Sequence, residues 1–219
     1  MSIPAHSIPV EPRWPSALAL LAVFCIVEAL PHHVYVIPEW VAYGAVAMVL
    51  VPMIAVALQP GNDVWRRLER NSILLFAAIY AANTTAELAD MIGIITIHPP
   101  ETRAVSLLSS SLSIWLVNVL TFSFLYWQID RGGPYQRALA TTQKPDWLFP
   151  QMASPEVALP NWQPKYVDYL ALAFNTATAF SPTDVLPLSR RAKALMMLES
   201  VISLLTLVIV AARAVNVLP

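Results

Sequence analysis

Four acidic side chains lie inside apolar stretches of this chain: Glu28, Glu87, Asp90 and Glu199. An ionisable group at membrane depth costs about 2.5–3.5 kcal/mol on insertion scales, so each marks a place where charge has a use. Glu28 and His32 are four residues apart, Asn83 and Glu87 likewise, and Asp90 follows Glu87 by three. On a helix such residues share a face. Carboxylates beside an imidazole or amide can relay a proton or hold a small cation. Glu28 and Glu87 each follow the start of an apolar run by about 15 residues, or roughly 22 Å at 1.5 Å per residue. That puts both in the outer half of a bilayer, with His32, His33 and Asp90 nearer its surface. Asn118 lies near the middle of another run, and Glu199 follows Arg190, Arg191 and Lys193 closely enough to pair with a cation. The plainer reading is structural: polar side chains join helices through hydrogen bonds worth about 0.6 kcal/mol on average. The serines Ser109, Ser110, Ser111 and Ser113 fit that reading, because small residues let helices approach.

The elements that must position these groups are apolar. The 219 residues are 57% hydrophobic and 12% charged, and soluble domains run at about a quarter charged. Five runs approach the ~20 residues that a spanning helix needs: Pro15 to Ile37, Pro38 to Leu58, Ser72 to Ile97, Val105 to Trp127, and Ala192 to Val217. A shorter run, Tyr166 to Phe180, reads as a re-entrant or interfacial helix. The expected fold is all-α: a polytopic helical membrane protein with about five transmembrane helices plus one short re-entrant or interfacial helix. Residues 1–128 form a four-helix membrane region, 129–165 a Pro-rich cytoplasmic loop, and 166–219 the short segment plus the last transmembrane helix. Trp147, Phe149 and Trp162 of the loop are expected at headgroup level. The first run reads as a retained anchor, since Arg13 is the only cation ahead of it and no small-x-small cleavage site follows.

With this arrangement, one face carries Arg13, Arg66, Arg67, Arg70, Arg131, Arg137, Lys144, Lys165, Arg190, Arg191 and Lys193, and the other carries Arg103 and Arg213. The positive-inside rule then places the N-terminus and the 129–165 loop in the cytoplasm of a multi-pass cell-membrane protein. A net charge of -1 gives no reason to expect nucleic acid as a partner. The single cysteine, Cys25, excludes an intrachain disulfide. No phosphate-binding glycine loop, His-Glu-x-x-His or Gly-x-Ser-x-Gly occurs, so no enzymatic activity, cofactor or resident metal is expected.

Residues 166–216 resemble the pore-helix, filter and inner-helix unit of potassium-channel pore loops. Thr176 and Thr178 match the Thr-rich run, Asp184 the filter-closing acid and Pro187 the proline that follows. Ser181 and Thr183 fall where the filter would be. The filter glycines are absent, because Phe180-Ser181-Pro182-Thr183 stands there and no glycine follows Gly133. The rest of the chain resembles uncharacterised bacterial membrane-protein families with a similar C-terminal end. The resemblance implies a bacterial inner-membrane protein, channel-like or transporter-like for a cation or protons, and a homo-oligomer, tetrameric if it forms a pore. The same Ser-Pro-Thr-Asp also fits a plain turn capping the last helix. The alternative function is a non-transporting membrane scaffold or partner-binding subunit.

The charge asymmetry is testable in a Cys25→Ala background with a membrane-impermeant maleimide. Arg103→Cys should label on intact cells, and Lys144→Cys only after lysis. The reverse pattern would invert the topology.

Overall fold

The computed structural model describes residues 11–29, 39–97, 104–139, 143–178 and 184–217, excluding the side chains of 39–42, 90–92, 94–97, 104–108 and 210–217. Six helices carry the architecture: α1 (Trp14–Glu28), α2 (Glu39–Leu58), α3 (Asp63–Ile97), α4 (Ala104–Ile129), α7 (Tyr166–Thr178) and α8 (Arg190–Val217). Two short helices, α5 (Pro134–Ala138) and α6 (Pro150–Ala153), lie between α4 and α7. A single antiparallel pair joins β1 (Trp147–Leu148) to β2 (Leu186–Pro187), with Trp147 opposite Pro187. α4 is the central element and packs against α1, α3, α7 and α8.

Three stretches are long and apolar enough to cross a membrane: Asp63–Ala89, Ser109–Gly132 and Arg190–Ile209. Trp14–Glu28 and Tyr43–Leu58 are shorter apolar helices. Three of the five expected spans therefore meet the length requirement among the described residues. At 13 residues, α7 is only about 20 Å long, short of a ~30 Å hydrocarbon core.

Burial on α8 runs opposite to a soluble protein. Met197, Leu198, Val201, Leu204 and Val208 are exposed, while Glu199, Ser203 and Thr206 are buried. An apolar outer face of this extent needs lipid or protein to cover it. Small polar groups on the inner face are the usual contacts between membrane helices.

Helix boundaries follow from caps. α3 begins nine residues before the expected Ser72 because the Asn62 side chain accepts the Val64 N–H at 2.9 Å, which satisfies a free donor of the first turn. Arg66, Arg67 and Arg70 thereby become helical. α8 begins at Arg190, where Ser189 Oγ accepts the Ala192 N–H at 3.1 Å. The cap is thus Ser189, and Ser181–Thr183 lie outside the described residues. α4 ends at a 3-10 turn over Asp130–Gly132, with Arg131, Gly132 and Gly133 all at positive φ. Gly133 is confined there: a Cβ would lie 3.1 Å from Gln128 Oε1 at φ +100, a conformation that glycine adopts without strain.

The 129–165 segment is folded onto the helices. Trp147 is fully buried and Phe149 nearly so, where the sequence reading put them at headgroup level. Trp147 sits between Tyr126 (4.8 Å) and Tyr169 (6.5 Å), and Phe149 stacks edge-on against Tyr169 at 5.4 Å. Buried polar groups secure this layer. Asp130 Oδ1 accepts the Asp146 N–H at 2.8 Å and Oδ2 accepts the Tyr169 hydroxyl at 2.5 Å. Arg137 donates to the carbonyls of Trp127 (2.6 Å) and Asp130 (3.0 Å), which covers carbonyls left free at the end of α4. Glu11 accepts the Tyr166 N–H at 2.7 Å and the Trp127 indole N–H at 3.1 Å. Asp168 reaches back to the Lys165 N–H at 2.7 Å and caps α7.

Asp146 and Arg191 close this layer onto α8, with Nη2 to Oδ2 at 2.6 Å and Nε to Oδ1 at 2.7 Å. Burial opposes the Asp146 charge, but the Arg191 and Ser189 hydrogen bonds outweigh it and hold the carboxyl below its usual range. A lowered folded value means that the contribution is complete above the ordinary aspartate value near 4 and is lost as pH falls through the folded one. Arg191→Ala should therefore cost about 1–3 kcal/mol near neutral pH. It should also flatten or reverse the loss of stability on acidification. Melting curves from pH 7 to pH 3 check both, and an unchanged acid slope would show that the pair contributes nothing.

Candidate intramembrane polar site

The seam between α4, α7 and α8 holds the best-defined polar cluster. Glu199 is fully buried on α8, nine residues past Arg190 and so about 14 Å along the helix. Its Oε2 accepts the Tyr126 hydroxyl from α4, and its Oε1 has no partner among the described residues. Asn118 Nδ2, also on α4, donates to Ser203 Oγ at 2.9 Å and to the Glu199 carbonyl at 3.3 Å. Asn118 Oδ1 and Thr121 Oγ1 are buried without partners. Thr176 of α7 approaches the Tyr126 hydroxyl, and its carbonyl accepts Ser200 Oγ at 3.4 Å. One turn nearer the loop layer, Ser123 and Tyr166 hydroxyls lie 2.7 Å apart. Spacing explains the convergence: Asn118 and Tyr126 are eight apart on α4, Glu199 and Ser203 four apart on α8, so each pair presents one face.

The expected pairing of Glu199 with a cation is corrected here. Arg191 turns to Asp146, and Glu199 faces a tyrosine. The reason is angular: Arg190, Arg191 and Lys193 are exposed, whereas Glu199 and Ser203 share the face that α4 covers.

Asn118, Thr176 and Glu199, read separately from the sequence, thus converge. Tyr126, Ser200 and Ser203 were missed. Nothing in one sequence aligns Tyr126 with Glu199, 73 residues away.

The other candidates lie elsewhere. Asn83 Nδ2 donates to Glu87 Oε1 at 2.7 Å on α3, as the spacing required. Glu28 lies on α1 and is half-buried. The Asp90 side chain and His32 lie outside the described residues, as do Ser181 and Thr183. Thr178 donates to the Asn175 carbonyl at 3.1 Å near the end of α7. Asp184 is exposed in the bend that follows. Among the described residues, no three His, Cys, Asp or Glu side chains group as metal ligands.

No protein family, curated protein or solved structure matches this chain. Its reading therefore rests on geometry.

The Tyr126–Glu199 contact gives a direct test. Tyr126→Phe leaves a buried carboxyl without its donor and should cost about 1–3 kcal/mol. In a Glu199→Leu background the same change should cost little. Equal costs in both backgrounds, measured by unfolding in mixed micelles, would show that the two residues are not coupled.

Proposed function

We propose that this chain is an integral membrane protein that handles a small positive charge, a proton or monovalent cation, at Glu199. The observation that carries the reading is the half-satisfied carboxyl: one oxygen held by Tyr126, the other without a partner among the described residues, at full burial. A carboxyl kept only for packing is poorly served by this arrangement, because a partly satisfied polar group in a low-dielectric interior is worse than an apolar one. An intramembrane carboxyl facing the bundle interior, with an amide and hydroxyls beside it, is the kind of group that proton relays and cation sites use. Asn118 Oδ1 and Thr121 Oγ1 offer further oxygens on the same side of α4. Tyr126 holds the carboxyl in place, and Asn118 fixes the α4–α8 distance through Ser203.

α7 is placed in this proposal as a packing partner of the site, through Thr176 and the Trp115–Phe174 edge contact at 5.7 Å.

Purified protein in liposomes tests the reading, with fluxes followed under proton, sodium and potassium gradients. Glu199→Gln keeps an acceptor for the Tyr126 hydroxyl, so the fold should survive while flux falls about tenfold or more, the loss expected when a general acid–base group is removed. Undiminished flux in Glu199→Gln, or no flux from folded wild-type protein, would overturn it and leave the scaffold reading.

A further inference from the structure

A second polar feature lies at the other end of α3, away from Glu199. A cavity of about 260 Å³ opens between the start of α3 and the turn after α4, lined by Arg66, Arg67 and Arg70, by Gln128, and by Gly133 and Tyr135. Its electrostatics are one-sided. Of the two acids at its rim, Glu69 is already bound by Arg13 at 2.8 Å, and Asp63 is a mostly exposed partner of Arg66 at 3.2 Å. Three guanidinium groups and two carboxylates line the cavity.

Two of the three arginines that line the cavity are held in place, while Arg67 is exposed. The Arg66 guanidinium lies over the Tyr135 ring, 3.7 Å from its centroid. Arg70 Nη1 donates to the Gly132 carbonyl at 2.5 Å. Two donors at this cavity are buried and have no acceptor: Arg66 Nη1 and Gln128 Nε2. Gln128 is 1% exposed, so its amide has no bulk water to turn to. A buried donor of this kind costs about as much as a lost hydrogen bond, and the two anchored guanidinium forks of Arg66 and Arg70, with the exposed Arg67 beside them, suit a tetrahedral oxyanion. The cavity also sits where α3 passes from its charged first turns into the apolar stretch beginning at Ser72.

We infer that the cavity walled by Arg66, Arg67, Arg70 and Gln128 binds a phosphate group, carried by an anionic phospholipid headgroup or free in solution. The chemistry is the same for both sources: the guanidinium groups supply charge and paired donors, and Gln128 supplies one neutral donor at the cavity floor. Gly133 lets the α4 turn close on Gln128, since any side chain there would press on it.

Thermal unfolding of the full chain in neutral-detergent micelles tests the site at constant ionic strength, with inorganic phosphate in one arm and phosphatidic acid in the other. Chloride and phosphatidylcholine serve as controls. A rise in melting temperature with phosphatidic acid alone assigns the site to a lipid headgroup. A rise with inorganic phosphate assigns it to the free anion. In either case Arg67→Gln, at an exposed position, and Gln128→Met, close in volume, should each weaken binding by about tenfold. Gln128→Met should leave the unliganded melting temperature unchanged or higher, because it removes an unpartnered donor. No rise in either arm, or a rise undiminished in both variants, overturns the proposal.

Discussion

The Asp130 carboxylate joins the layers of this molecule. It is fully buried at the point where α4 stops, and it accepts from the Asp146 backbone and the Tyr169 hydroxyl at once. Buried charge is tolerated only when its oxygens are satisfied, and here both are. The consequence is geometric. Fixing Asp146 fixes Arg191 and the start of α8, while fixing Tyr169 fixes the rotation of α7. Arg137 and Glu11 extend the same web to the end of α4 and to the segment before α1. The helices are thus tied at one end by charge-assisted bonds. Toward the apolar region they are held by close packing and a few neutral hydrogen bonds.

That division suits a protein between two solvents. At the polar end, burial of Trp147 and Phe149 gives the 129–165 segment a core that its proline content alone does not disclose. Farther along, the outward faces turn apolar and the inward faces polar, as α8 shows. Glu199 is a product of both regimes. The web at Asp146 and Arg191 sets where α8 begins, and two turns later this brings the carboxyl under Tyr126 and not toward lipid. The arginine cavity is a product of the polar end alone, built where α3 starts before its apolar stretch and the glycine turn after α4 folds back.

Much of the helical layout was legible. Apolar runs and flanking breakers located α2, α4 and α8 to within a few residues, because hydrophobic length is a strong constraint in a chain with so few charges. The end of α4 is set just as locally, because the Gly132-Gly133 pair supplies positive φ without strain and Pro134 follows. Starts set by side-chain caps were less legible: Asn62 and Ser189 are ordinary residues until the backbone turns around them.

The sequence by itself determined that this is a helical chain with apolar spans, a short helix near the C-terminus and isolated polar groups at membrane depth. Composition and the i, i+4 rule act locally and need no partner. Only the tertiary structure decided which polar groups meet. Glu199 finds Tyr126 and Asn118, Arg191 finds Asp146, and Gln128 comes to line one cavity with the arginines of α3. These partners lie far apart in the chain, and a single helix face carries no record of which other face will cover it.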